Sequence, residues 1–122
     1  MQKSSLVTVA AAQYPVEFLG RWEKFEQKIT TMVRAAVEEN AQLVLFPEYG
    51  CLELASLFSP TIYKSLSGQL EALQSLLPGY RTLHSHLAQS FGVTIVAASF
   101  PVMLSNGSYR NRAYVCTPDG AI

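Results

Sequence analysis

Apolar runs and helical stripes alternate along the chain. Leu6 to Gln13 is a run of small, apolar and β-branched residues stopped by Pro15, and it predicts a first strand. From Gly20 to Asn40 the period changes. Trp22, Phe25, Ile29, Met32, Val33, Ala36 and Val37 recur at three- and four-residue steps, while Glu23, Lys24, Glu26, Gln27, Arg34, Glu38 and Glu39 fill the other face. That spacing predicts an amphipathic helix with Asn40 as its C-terminal cap. Leu43 to Phe46 is a short unbroken apolar run, and Pro47, which has no N–H for a ladder, ends it. Leu52, Leu54, Leu57 and Phe58 predict a short helix before Pro60. Leucines at 70, 73, 76 and 77 predict another, and Pro78 suits the first turn of a further helix to Ser90, with Gly92 as its stop signal. Val93 to Phe100 reads as a strand closed by Pro101. Asn106-Gly107 turns the chain, Tyr109 to Thr117 is the last strand, and Pro118-Asp119-Gly120 is a turn.

The resulting order is β, α, β, α, β, β, which places the chain in the α/β class. Strands separated by helices pair in parallel through right-handed crossovers, and the last two strands read as an antiparallel hairpin at one edge. Strands 43–46 and 94–98 carry apolar or small residues at odd and even positions alike, the pattern of strands covered on both faces. The helices of this chain suffice for one face. The expectation is either part of a larger domain or an obligate assembly that hides the second face.

Composition narrows the choice. A length of 122 residues sets one domain at most, and 49% hydrophobic with 15% charged residues argues against disorder. Nine basic residues balance nine acidic ones, so no basic surface is on offer to nucleic acid or an anionic membrane. No apolar run approaches the roughly 18 residues of a membrane span. Cys51 and Cys116 are too few for a disulfide framework and read as reduced thiols of a cytoplasmic protein. Lys3 followed by Leu6 to Ala12 falls short of a secretory signal, so Asn106-Gly107-Ser108 reads as a turn rather than a glycan site.

Glu48 is the strongest candidate for chemistry. It stands two positions after an apolar strand, beside a proline, and reactive groups of open α/β sheets lie beyond the carboxyl ends of strands. A carboxylate held there among apolar neighbours such as Phe46 suits a general base. An ordinary surface glutamate in a strand–helix loop fits the same pattern. Tyr49 lines a pocket beside Glu48 or simply packs. His84 and His86 are two apart on a helix and point to different faces, so a shared metal is not expected. Arg110 and Arg112 share a strand face and read as a surface pair, with an acidic substrate or a glutamate as the other option. No glycine-rich phosphate loop occurs, and no cofactor or metal is expected.

Phe46-Pro47-Glu48-Tyr49, after Ala41-Gln42-Leu43-Val44-Leu45, resembles the first signature of the nitrilase superfamily, the carbon–nitrogen hydrolases. Val9 to Pro15 looks like that family's first strand and its glutamine, Gln13. Ala35 to Ala41 is similar to its helix end, and Val93 to Ser99 to a later strand. Tyr109-Arg110-Asn111-Arg112-Ala113-Tyr114 with Pro118-Asp119-Gly120 resembles its last segment before the catalytic lysine. The resemblance implies an α-β-β-α sandwich, of which residues 1–122 would be the N-terminal part of a single domain, with a mixed sheet and helices packed on one face. It implies a Glu-Lys-Cys triad working through a thioester, with Glu48 as general base and an amide or nitrile as substrate. The family's Lys and Cys would fall beyond Ile122. None of Lys3, Lys24, Lys28 and Lys64 is in a matching position, and Lys24 and Lys28 are expected to be solvated on the polar helix face. Cys51 lacks the family's elbow motif and is expected in a pocket or the core, as Cys116 is in the core. The expected partner is another copy of the chain or the missing C-terminal half, and this chain alone is expected to be inactive. The alternative from another class is a non-catalytic α/β module that binds a protein through its uncovered sheet face.

Overall fold

A computed structural model of the protein describes residues 6–122, and Lys3 lies outside them. The strands are β1 (Val9–Ala11), β2 (Leu43–Leu45), β3 (Thr94–Val96), β4 (Phe100–Met103), β5 (Tyr109–Arg112) and β6 (Val115–Cys116). The helices are α1 (Trp22–Glu38), α2 (Pro60–Tyr63), α3 (Leu66–Leu73) and α4 (Leu77–Phe91), with a 3-10 helix over Gly50–Leu57. The main sheet runs β1-β2-β3-β6, parallel across the first three strands and antiparallel between β3 and β6. It is a mixed sheet in an α/β chain, as expected.

Both long helices stop by the same device. Asn40 adopts φ 65° and Gly92 φ 63°. Beyond α1, Asn40 N–H bonds Val37 O at 2.9 Å and Ala41 N–H bonds Ala36 O at 3.0 Å; beyond α4, Val93 N–H reaches Ala88 O at 3.0 Å. These are Schellman ends, in which a left-handed residue lets the chain fold back onto orphan carbonyls. Each leads straight into a strand, β2 or β3, so the caps set where those strands begin.

Phe25, Ile29 and Val33 of α1 and Leu83, Leu87 and Ala88 of α4 are buried with Val44 and Ile95 of the sheet. Each large apolar side chain so buried contributes about 1.5–3 kcal/mol. The alternate positions Leu43, Leu45, Thr94 and Val96 face the other way and are only half-buried, and Val9, Ala11 and Val115 beside them are exposed. Among the described residues the helices therefore cover one face and leave the other partly open.

Two strand assignments are corrected. The run 93–100 does not continue as one strand, because Ala97–Ser99 spend their backbone groups elsewhere. Ala97 N–H bonds Tyr114 O at 2.9 Å, Ala98 O accepts the Tyr80 hydroxyl at 2.6 Å, and Ser99 O accepts the Cys51 thiol at 3.0 Å. The chain leaves the sheet there, and Pro101 sits inside β4 rather than ending β3. The run 109–117 likewise divides. Its first part, β5, pairs antiparallel with β4 around the Asn106-Gly107 turn, where Gly107 takes φ 83°. Its second part, β6, returns to the edge of the main sheet. The expected hairpin exists, but as a separate two-stranded ribbon.

Candidate active site

Glu48 lies beyond the carboxyl ends of β1, β2 and β3, on a turn from Pro47 to Gly50 closed by a Gly50 N–H to Pro47 O bond of 3.4 Å. Tyr49, the next residue, is in the left-handed region at φ 59° and ψ 15°, which a bulky side chain rarely adopts. Its N–H donates to Ser99 Oγ at 2.9 Å. Gly50 is buried against the segment after β3, and a Cβ there would stand 2.9 Å from Ala98 Cβ. The carboxylate is held from a third direction: Asn111 Nδ2, on β5, donates to Glu48 Oε1 at 2.6 Å. Among the described residues Oε2 carries no hydrogen bond. Phe46 packs into the core against Tyr14 and His84 and does not enclose the carboxylate, which is exposed.

The structure separates the other candidates. Tyr49 is 45% exposed and so is not a packed core tyrosine. Cys51 is fully buried, and burial pushes its thiol up to about 12, so it stays protonated near neutral pH and is a core thiol. Cys116 is buried too, and burial again raises its thiol. His84 is buried, with Nδ1 2.7 Å from Tyr80 O, while His86 is exposed; the two point apart, as their spacing requires. Arg110 and Arg112 are exposed on the outer ribbon. Among the described residues no three His, Cys, Asp or Glu side chains converge as a metal site would need.

The expectation of a solvated Lys28 is wrong. Its side chain is 10% exposed, with Nζ 2.7 Å from Glu53 Oε2 and 3.0 Å from Glu17 Oε1. The same ammonium bonds Pro15 O and lies 4.1 Å from the centre of the Tyr14 ring. Glu53 also accepts the Tyr14 hydroxyl and, at 3.0 Å, the Glu17 N–H. Desolvation, and then the bond to Glu53, hold the Tyr14 phenol well above its ordinary value. A signal for this cluster was present. Glu53 is the one charged residue in the apolar run Cys51-Leu52-Glu53-Leu54-Ala55, and a buried carboxylate needs a partner. Lys24, one turn earlier on α1, is exposed as expected.

The family model for carbon–nitrogen hydrolases matches residues 8–122. A crystal structure of a carbon–nitrogen hydrolase from Helicobacter pylori G27 superposes with a TM-score of 0.68 at 21% identity, over 94% of this chain. The match takes in 37% of that structure, so the chain spans little more than a third of its length. No curated protein sequence matches the chain. No helix among the described residues is long and apolar enough to cross a membrane.

Proposed function

The chain belongs to the carbon–nitrogen hydrolase family, and from that premise we propose that Glu48 is the general base of an amidase-type hydrolase. The observation that carries the reading is the Glu48 carboxylate at the strand ends, fixed through Oε1 by Asn111 and open at Oε2. In the proposed reaction Glu48 takes the proton of a cysteine thiol as the sulfur attacks the amide carbon. A lysine stabilises the resulting oxyanion. The proton passes to the leaving nitrogen, ammonia or an amine departs, and a thioester remains. Glu48 then takes a proton from water, which attacks the thioester and releases the acid and the thiol. Nitriles are the other substrate class of the reading.

The cysteine and lysine have no counterpart among these 122 residues. Cys51 is buried and protonated, and Lys28 is locked to Glu53. Residues 1–122 act, in this reading, as the N-terminal part of one hydrolase domain. The rest of that domain, or a second copy, covers the partly open sheet face. A reducing, cytoplasmic setting suits the two free thiols.

In the complete protein Glu48→Gln should lower turnover at least ~100-fold with little change in fold. Near-normal turnover with a stability loss above ~2 kcal/mol would make Glu48 a structural residue instead. The 122 residues alone should show no turnover, because a triad acts as a unit. Turnover by the isolated chain, abolished by Glu48→Gln, would overturn the missing-nucleophile reading and return attention to Cys51. If the isolated chain is a monodisperse monomer that binds no hydrophobic dye, the face needs no cover, and the self-contained binding module is the better reading.

A further inference from the structure

We infer that Ser99 is a positioning residue for Glu48, acting through the backbone N–H of Tyr49. The inference rests on the reading of Glu48 as a base. A turn built only to reverse the chain takes glycine at its left-handed position, where a side chain costs energy. Here the left-handed position is Tyr49, and the glycine stands one residue later. It is needed there, because a Cβ at Gly50 would lie 2.9 Å from Ala98 Cβ and 3.5 Å from the Tyr14 ring. Strain of this kind persists only where the surroundings hold it.

What holds it is Ser99. Its Oγ accepts the Tyr49 N–H at 2.9 Å and its carbonyl accepts the Cys51 thiol at 3.0 Å, so one buried residue grips the turn on both sides of Gly50. Two residues on, Pro101 pairs across the ribbon with Asn111, and Asn111 bonds the Glu48 carboxylate at 2.6 Å. The contacts close a ring: Glu48 to Tyr49, Tyr49 to Ser99, Ser99 along the chain into β4 at Pro101, across to Asn111, and back to Glu48. Backbone and carboxylate of the base are thereby referred to the same short segment of chain. If Ser99 lets go, the turn relaxes, and Glu48 moves against an Asn111 that stays in its ribbon.

The test uses the complete protein and two readouts. Ser99→Ala should lower kcat by about ten- to a hundredfold, as loss of alignment does, with KM nearly unchanged. Amide hydrogen exchange at Tyr49 should speed up in the same variant. Adding Tyr49→Gly should restore much of kcat, because glycine adopts φ near 59° without the strain that the clamp otherwise opposes. Replacing the Glu48–Tyr49 amide by an ester removes the same donor without touching Ser99, and it should give the same kcat loss. Unchanged exchange at Tyr49 in Ser99→Ala would show that no clamp exists. Fast exchange with unchanged kcat, or a kcat loss that Tyr49→Gly leaves unrescued, would reduce Ser99 to packing. Failure of the base reading shows separately, as turnover that survives Glu48→Gln, while the exchange result still decides the clamp.

Discussion

Glu48 and Glu53 lie five residues apart and could hardly be treated more differently. Glu53 is 4% exposed and accepts from Lys28, Tyr14 and the Glu17 backbone. Glu48 is exposed and, among the described residues, accepts from Asn111 alone. The more heavily engaged carboxylate is not the candidate base. Every donor around Glu53 is a fixed part of the fold, so its charge anchors the loop 14–17 and the 3-10 helix to α1. Glu48 keeps an oxygen free, which a base needs and an anchor does not. Burial and ion pairing of an acid therefore mark architecture here, and an open lone pair on a braced turn marks the candidate site.

The comparison breaks most readily in stability. Removing one member of a buried pair strands the other charge, at about 3–5 kcal/mol. Glu53→Ala and Lys28→Met should each cost that much in chemical denaturation, whereas Glu48→Gln should cost less than ~0.5 kcal/mol, as an exposed substitution does. The double variant Lys28→Met with Glu53→Leu should be milder than either single one, since an apolar pair leaves no stranded charge. Equal losses at Glu48 and Glu53 would abolish the distinction.

His84 extends the comparison to a buried group with half its partners. Nδ1 faces Tyr80 O, while Nε2 is buried with no hydrogen-bond partner among the described residues. Burial lowers its proton affinity from an ordinary 6.5 to about 4. The unfolded chain then takes up the proton first as pH falls. The stabilising contribution is complete above pH 6.5, declines through the interval down to about 4, and is level below it. Over that window the loss is about 3 kcal/mol. Denaturation at a series of pH values should show the slope, and His84→Leu should flatten it. A slope unchanged in His84→Leu would assign it to carboxylates instead.

On the Glu48 side the largest structural cost should come from Gly50. Gly50→Ala drives a methyl to 2.9 Å from Ala98 Cβ, and both partners are on buried backbone. Overpacking of this kind costs about 1–3 kcal/mol. Turnover should fall with it, since the turn carries Glu48. Loss of stability without loss of turnover would show that the turn tolerates displacement.

How much of this was legible in the sequence depended on the range of the interactions. The α1 stripe, the Asn40 and Gly92 stops and the three parallel strands are local signals, and they are found within a few residues of where the pattern places them. The division of 93–103 and of 109–117 was not legible, because it depends on Tyr80, Cys51 and Tyr114 arriving from elsewhere to take the backbone groups of Ala97–Ser99. At the site, the placement of Glu48 after a strand could be read from Leu43 to Pro47. Its Asn111 partner is 63 residues away and its Ser99 brace about 50, and no spacing rule reaches that far. Lys28 was misread because it borders the apolar stripe of α1 rather than lying in it. Only the loop carrying Tyr14 and Glu17, folded over that border, makes it an interior charge.

Lys24 provides the smallest and sharpest comparison. It is one helical turn from Lys28, on the same polar face of the same helix, and the sequence pattern treats the two alike. Among the described residues Lys24 enters no ion pair, and it is exposed. Its ammonium keeps its water in the folded state, so truncation removes little beyond a flexible stem. Lys24→Ala should change stability by less than ~0.5 kcal/mol, with alanine's better helix propensity tending to offset lost contacts. Against the several kcal/mol expected for Lys28→Met, that gap isolates what burial adds to one lysine over its neighbour. Raised salt should leave the Lys28 loss nearly intact, because a pair with a 10% exposed partner is screened far less than a surface charge. A Lys28 effect that fell to the Lys24 level in high salt would mean that the cluster is an ordinary surface ion pair, and that Glu53 does not anchor the loop.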